Sequence, residues 1–186
     1  MGNDAKKVVI EKLVWIDLEM SGLDPIKDVI LEIAVVVTDM QLQIVAQGPD
    51  IVISHSELVI KNMDEWCTKV HSESGLIQKI KQSDTTISQA EQQILGFLRE
   101  HCAEKKCILA GNSVWMDKMF LMRYMPRLNN FMHYRIIDVS TVKELGKSWY
   151  GEKGKWSFKK KNAHRAMDDI LESIEELKRY KEYLFI

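Results

Sequence analysis

Leu13-Val14-Trp15-Ile16-Asp17-Leu18-Glu19-Met20 sets six apolar residues around two acids. A short, almost wholly apolar run is the pattern of a strand buried on both faces rather than one alternating at the surface. In a strand, residues i and i+2 share a face, so Asp17 and Glu19 point the same way out of an apolar element. Two anions held together there repel, unless a cation neutralises them or one takes a proton. Acid-x-acid pairs alone are weak evidence: 27 acids in 186 residues give roughly four by chance. The weight lies in the location. Buried charges are paired or coordinated, which favours a metal; the competing reading is a frayed strand end with both side chains in water.

Outward from this segment, Val29 to Thr38 and Ile44 to Ile53 read as further strands, the latter interrupted by Gly48-Pro49-Asp50. Three consecutive strands with short connections suggest an antiparallel meander. From residue 60 onward helical signals dominate. Ser88-Gln89-Ala90-Glu91 and Thr141-Val142-Lys143-Glu144 match the capping box, and Val114 to Tyr124 reads as a helix stopped before Pro126. Cys107 to Gly111 and Arg135 to Asp138 read as strands. A last helix from about His164 to Tyr183 carries Ile170, Ile174, Leu177 and Leu184 as its apolar stripe. Strands first, then strand and helix in alternation, give an α/β fold with a mixed five-stranded sheet flanked by helices.

The chain fits a single domain over residues 1–186, with 1–12 as a flexible N-terminal extension. An apolar fraction of 46% supports a real core and argues against disorder. Lys and Arg number 26 against 27 Asp and Glu, a net charge of −1, which argues against a bulk electrostatic grip on long duplexes or anionic membranes. Three cysteines without a Cys-x-x-Cys exclude a zinc ribbon and a dense disulfide framework and suggest a reducing compartment. No apolar run approaches a membrane span and no signal-peptide core is visible. Gly2 is followed by Lys6 where myristoylation wants Ser or Thr. The expected location is cytoplasmic, with mitochondrial or nuclear placement left open.

Two further acidic stretches add to the first. Gly111-Asn112-Ser113-Val114-Trp115-Met116-Asp117 puts an aspartate in the first turn of a helix leaving a strand end, where α/β sheets gather ligands; by itself it also serves to complement the helix dipole. His164-Arg165-Ala166-Met167-Asp168-Asp169 crowds a histidine and two acids into one turn. At 100° per residue Asp168 lies about 40° from His164 and Asp169 about 140°. Spacing therefore leaves the choice open, and the objection to Asp169 lapses if His164 stands in the loop before the helix. Trp66, within Met63-Asp64-Glu65-Trp66-Cys67, reads on sequence alone as core filling. The stretch from Lys153 to Arg165, with Lys159-Lys160-Lys161 and interleaved Trp156 and Phe158, is a solvated loop or a phosphate attractor.

Taken together, Asp17-Leu18-Glu19-Met20, Gly-Asn-Ser-Val-x-x-Asp117, His133-Tyr134-Arg135-Ile136-Ile137-Asp138-Val139-Ser140 and His164 to Asp169, in this order, resemble the oligoribonucleases. These are 3′→5′ exonucleases with an Asp-Glu-Asp-Asp-His site on an RNase H-like fold, and the resemblance runs from about Leu13 to Ile186. It implies Asp17, Glu19, Asp117 and Asp169 as metal ligands, selecting Asp169 over Asp168, and His164 as general base. It also implies that Leu23 acts as an apolar wedge and Trp66 as a stacking platform. His71, Ser113, Arg135 and Ser140 would close around the 5′ end of a very short substrate, and Tyr134 would reach in from the partner of a homodimer. The implied activity is hydrolysis of short single-stranded oligoribonucleotides, dinucleotides especially, to nucleoside 5′-monophosphates.

Four carboxylates without a thiolate form a hard oxygen site suited to Mg²⁺ or Mn²⁺. Their combined charge matches two divalent ions, which in such sites sit about 3.5–4 Å apart. An imidazole, with an ordinary pKa near 6.5, can take a proton from water at physiological pH. Three other readings compete. The first is a related exonuclease acting on longer single-stranded DNA or RNA. The second, an aspartyl-phosphate phosphatase, wants Asp-x-Asp where this chain has Glu19, and has no use for His164. An RNA-binding module that has lost hydrolysis is the third, and the complete acid set argues against it.

Overall fold

The computed structural model describes residues 10–159 and 164–185. The apolar run that decides the fold is the middle strand of its sheet: β1 (Lys12–Met20) lies between β2 (Ile30–Asp39) and β4 (Cys107–Gly111), in the order β3-β2-β1-β4-β5. β3 spans Ile44–Val52 and β5 Ile136–Asp138. The first three strands pair antiparallel as the meander expected, whereas β4 and β5 run parallel to β1. The sheet is therefore mixed. Lys12 already belongs to β1, and Glu11 N–H donates to the Lys106 carbonyl at 3.0 Å. Residues 1–9, most of the expected N-terminal extension, lie outside the described residues.

Strand alternation splits β1 between two cores. Val14, Ile16 and Leu18 pack toward α4 (Ile87–His101), α5 (Val114–Tyr124) and α6 (Pro126–Phe131). Leu13 and Trp15 pack on the opposite face with α7 (Val139–Tyr150) and α8 (Ala166–Leu184). Trp15 is fully buried, and its indole N–H is satisfied by Thr38 Oγ1 at 3.0 Å. Of the expected α8 stripe, Ile170 and Ile174 are buried and Leu177 and Leu184 partly so, with Tyr180 completing the face. Three short helices, α1 (Glu57–Asn62), α2 (Glu65–Glu73) and α3 (Leu76–Gln82), pack against the start of β2 and the end of β3 through a small core of Leu31, Met63, Cys67, Leu76 and Ile80.

Some local expectations need correction. Gly48-Pro49-Asp50 does not interrupt β3, because the register shift opposite Ala34/Val36 absorbs the proline on an edge strand. A Cβ at Gly48 would collide with Val35 and with Phe97 of α4, so the glycine lets that helix close on the sheet. The capping box of α4 is Thr86 with Gln89, not Ser88 with Glu91. Glu91 is buried and instead accepts from Arg127 and Leu128 N–H at 2.8 and 3.1 Å, capping the start of α6. α7 is likewise capped by Asp138, which accepts from Ser140 N–H, rather than by Thr141 and Glu144. Glu144 pairs with Lys147 on the surface.

Candidate active site

Asp17 and Glu19 continue the series of Leu13 and Trp15, so they face α8. Asp169 in the first turn of α8 meets them there: one oxygen from each of Asp17, Glu19 and Asp169 lies within 4.8 Å of the other two. Among the described residues this is the one cluster of three or more His, Cys, Asp or Glu that can hold a metal ion. Asp168, its neighbour in sequence, is not in the cluster. Asp117 comes from α5 and stands outside the 4.8 Å grouping, but on adjoining backbone. β1 and β4 last pair at Trp15 and Ala110, and beyond that point Leu18 N–H donates to Asp117 Oδ1 at 3.0 Å.

Glu19 and Asp117 ionise reluctantly. Burial pushes Glu19 up to about 8, helped by the negative charge of Asp169, Glu32 and Asp117 and opposed by Arg165. Burial also pushes Asp117 up to about 7, against the Leu18 N–H that stabilises its anion. Hard oxygen donors that resist ionising side by side fit a divalent cation.

His164 precedes the last helix rather than belonging to it. Its backbone is left-handed, at φ 51°, and Arg165 is the N-cap residue of α8. The angular objection to Asp169 therefore has no force. The imidazole meets the Trp66 indole edge-on, with ring centroids 6.0 Å apart and planes at 88°.

Trp66 does not fill the core. It is 62% exposed and Leu23 68% exposed, and both line a cavity of about 460 Å³ that also includes Glu19 and His71. The loop carrying Leu23 is held by Asp28, which accepts from Ser21 Oγ at 3.1 Å and Asp24 N–H at 2.9 Å. A Cβ at Gly22 would strike that carboxylate, so glycine permits the tight turn. His71 is buried, donates from Nε2 to the Met20 carbonyl at 2.9 Å, and turns Nδ1 toward Glu19 Oε2 at 3.9 Å. Burial lowers its pKa below the ordinary histidine value.

Ser113 and Ser140 form a second, polar grouping. Ser113, left-handed at φ 50°, donates from its N–H to Asp138 Oδ1 and Ser140 Oγ at 3.0 and 2.9 Å, and the two hydroxyls are 3.1 Å apart. Ser140 Oγ in turn donates to Asn112 Oδ1 at 3.0 Å. Asn112 Nδ2 donates to Ser173 Oγ and to the buried Glu176, both at 2.8 Å. Arg135 lies over the Tyr134 ring at 5.4 Å, and Tyr134 is 73% exposed.

Sequence reasoning missed Asn112, Glu176, Glu32 and Arg165. Glu32 interrupts an apolar stretch, the same signal that drew attention to Asp17 and Glu19, whereas Glu176 lies in a polar run and leaves no such mark. In the basic stretch, Trp156 is buried against Tyr180 in the core and does not serve as a surface platform. Residues 160–163, including Lys160 and Lys161, lie outside the described residues.

The exonuclease family (RNase_T) matches residues 14–177. The "Oligoribonuclease, mitochondrial" of Homo sapiens is 46% identical over 181 residues, 97% of this chain and 76% of the relative. The "Oligoribonuclease" of Marinobacter nauticus is 47% identical over 175 residues, 94% of this chain and 97% of the relative. The chain belongs to the oligoribonuclease family. Its fold is also that of exonuclease I: Escherichia coli exonuclease I in complex with a dA16 oligonucleotide superposes with a TM-score of 0.70 at 15% identity, over 94% of this chain. This chain spans 43% of that protein. The mixed five-stranded sheet with its flanking helices is RNase H-like, and the family makes the protein a nuclease hydrolase. No described helix is long and apolar enough to cross a membrane.

Proposed function

We propose that the protein is a 3′→5′ exoribonuclease that hydrolyses short single-stranded oligoribonucleotides, dinucleotides especially, to nucleoside 5′-monophosphates. The observation that carries this reading is the meeting of Asp17, Glu19 and Asp169 within 4.8 Å, beside a histidine held just outside α8. The family's relatives named oligoribonuclease support the substrate class.

Asp17, Glu19, Asp117 and Asp169 would hold two divalent ions, Mg²⁺ or Mn²⁺, which when bound supply positive charge against the phosphodiester and its departing oxygen. His164 takes the proton of the attacking water as its oxygen bonds to phosphorus and the bond to the 3′ oxygen breaks. Trp66 offers a π face to a base, worth about 1–3 kcal/mol and indifferent to sequence, and Leu23 wedges against it. Ser113, Ser140, Arg135 and His71 close the 5′ end of the substrate, with Arg135 able to make charge-assisted bonds to phosphate. A homodimer in which the exposed Tyr134 reaches the partner's site completes the reading. A reducing compartment such as the cytoplasm suits the three free cysteines.

The test is product analysis on a labelled RNA dinucleotide and on a long single strand, with Mg²⁺, Mn²⁺ or chelator present. The reading expects metal-dependent 5′-mononucleotides and faster turnover of the dinucleotide. Equal or faster cleavage of the long strand favours the alternative, a related exonuclease on longer DNA or RNA.

A further inference from the structure

Arg165 and Glu32 are 133 residues apart in sequence, yet they form the most closely bonded ion pair near the site. The guanidinium Nε donates to both Glu32 oxygens at 3.1 and 3.2 Å, and Nη2 donates to Oε1 as well. Glu32 is fully buried in β2, directly across the register from Glu19. It does two jobs, because its Oε2 also accepts from Ala166 N–H at 3.2 Å and so caps the start of α8. Asp50 of β3 stands 3.5 Å from the same guanidinium. Arg165 directly follows the left-handed His164.

A residue other than glycine holds a left-handed backbone only when its surroundings over-determine it. Here the two residues that follow it are bonded to the sheet. Three charge-assisted bonds and a backbone cap fix residues 165 and 166 to the strand beside Glu19, and the His164 ring is then set against Trp66. We propose that Glu32 and Arg165 are positioning residues: a clamp that fixes the His164 imidazole relative to the carboxylates of β1. The proposal rests on the reading of His164 as general base. A fork of parallel donors is what the clamp needs, and lysine supplies charge without that geometry.

The test is a kinetic cycle on the full chain with an RNA dinucleotide, accompanied by Mn²⁺ titration of each variant. Arg165→Lys is expected to lower kcat by about 10–100-fold, the scale of a misplaced catalytic group, with KM and Mn²⁺ affinity within about threefold of wild type. His164→Ala loses about 10²–10⁴-fold, and His164→Ala/Arg165→Lys is then no slower than His164→Ala, because the clamp acts through the histidine. Multiplying losses in the double variant, or an Arg165→Lys defect that follows lost Mn²⁺ affinity, overturns the clamp and leaves the base reading standing. Near-normal kcat in His164→Ala removes the base reading and the clamp with it. Should Arg165→Lys melt below the assay temperature, Glu32→Met/Arg165→Met carries the same cycle, since neither charge is then buried alone.

Discussion

Glu19 and Glu32 sit opposite one another in adjacent strands, and they live in contrasting electrostatic worlds. Glu32 is wholly buried and answered from within the protein, by a forked guanidinium and a helix N–H. Glu19 is nearly as enclosed, yet its charged neighbours are mostly carboxylates, and it is held up near 8. The start of α8 makes the difference, sending a cation to one glutamate and Asp169 to the other. Burial of an acid is thus not itself a sign of function. What marks Glu19 is burial among like charges, which is the condition a divalent cation relieves.

The comparison is broken most severely by removing charge from the acid cluster. Glu19→Gln is expected to lower kcat/KM on a dinucleotide by about 10⁴-fold, on the scale of losing one member of a concerted set. A loss under tenfold would take Glu19 out of the reaction.

Stability should respond in opposite directions at the two glutamates. Glu32→Ala removes the forked partner of Arg165, leaving only Asp50 at 3.5 Å, and is expected to lower the Tm by about 10 °C, from about 3–5 kcal/mol for a broken buried pair. Glu19→Gln relieves repulsion and is expected to raise the metal-free Tm at pH 8.5 by a few degrees, a gain in stability at the expense of activity. Thermal melts of both variants without metal check the pair.

The pH dependence sharpens the same contrast. Glu19 and Asp117 are held above their ordinary values, at about 8 and about 7. Between pH 6.5 and 8.5 the folded state keeps protons that the unfolded chain has already released, so stability falls as pH rises through those values. The metal-free Tm is expected to drop over this window, and saturating Mn²⁺ to remove most of the drop. A flat metal-free profile would contradict the charge account. The smallest effect belongs to Asp168, outside the cluster: Asp168→Asn should keep kcat within about twofold, where Asp169→Asn does not.

Much of this was legible in the sequence, for identifiable reasons. The apolar run around Trp15 marks a central strand, and alternation puts Asp17 and Glu19 on one face. The boundaries of α5, set by a strand end and Pro126, match the structure. What periodicity cannot see is where a chain stops being helical: the pattern carries α8 back to His164, which stands left-handed before the Arg165 N-cap. The choice between Ser88/Glu91 and Thr86/Gln89 as capping box is similarly tertiary, because Glu91 is drawn off to α6. Trp66 belies its hydrophobicity because α2 buries Cys67 and His71 instead and leaves the indole at the cavity. Long-range pairs such as Glu32 with Arg165 leave one trace, an acid inside an apolar strand, and no hint of the partner.

The most direct test of the central claim is calorimetric titration of Mn²⁺ into the metal-free protein at pH 7 and 8.5, wild type against Glu19→Gln. Two saturable sites per chain are expected, with proton release at pH 7, tighter binding at pH 8.5, and affinity weakened at least about tenfold in the variant. No saturable binding, or identical isotherms for the two proteins, would contradict it.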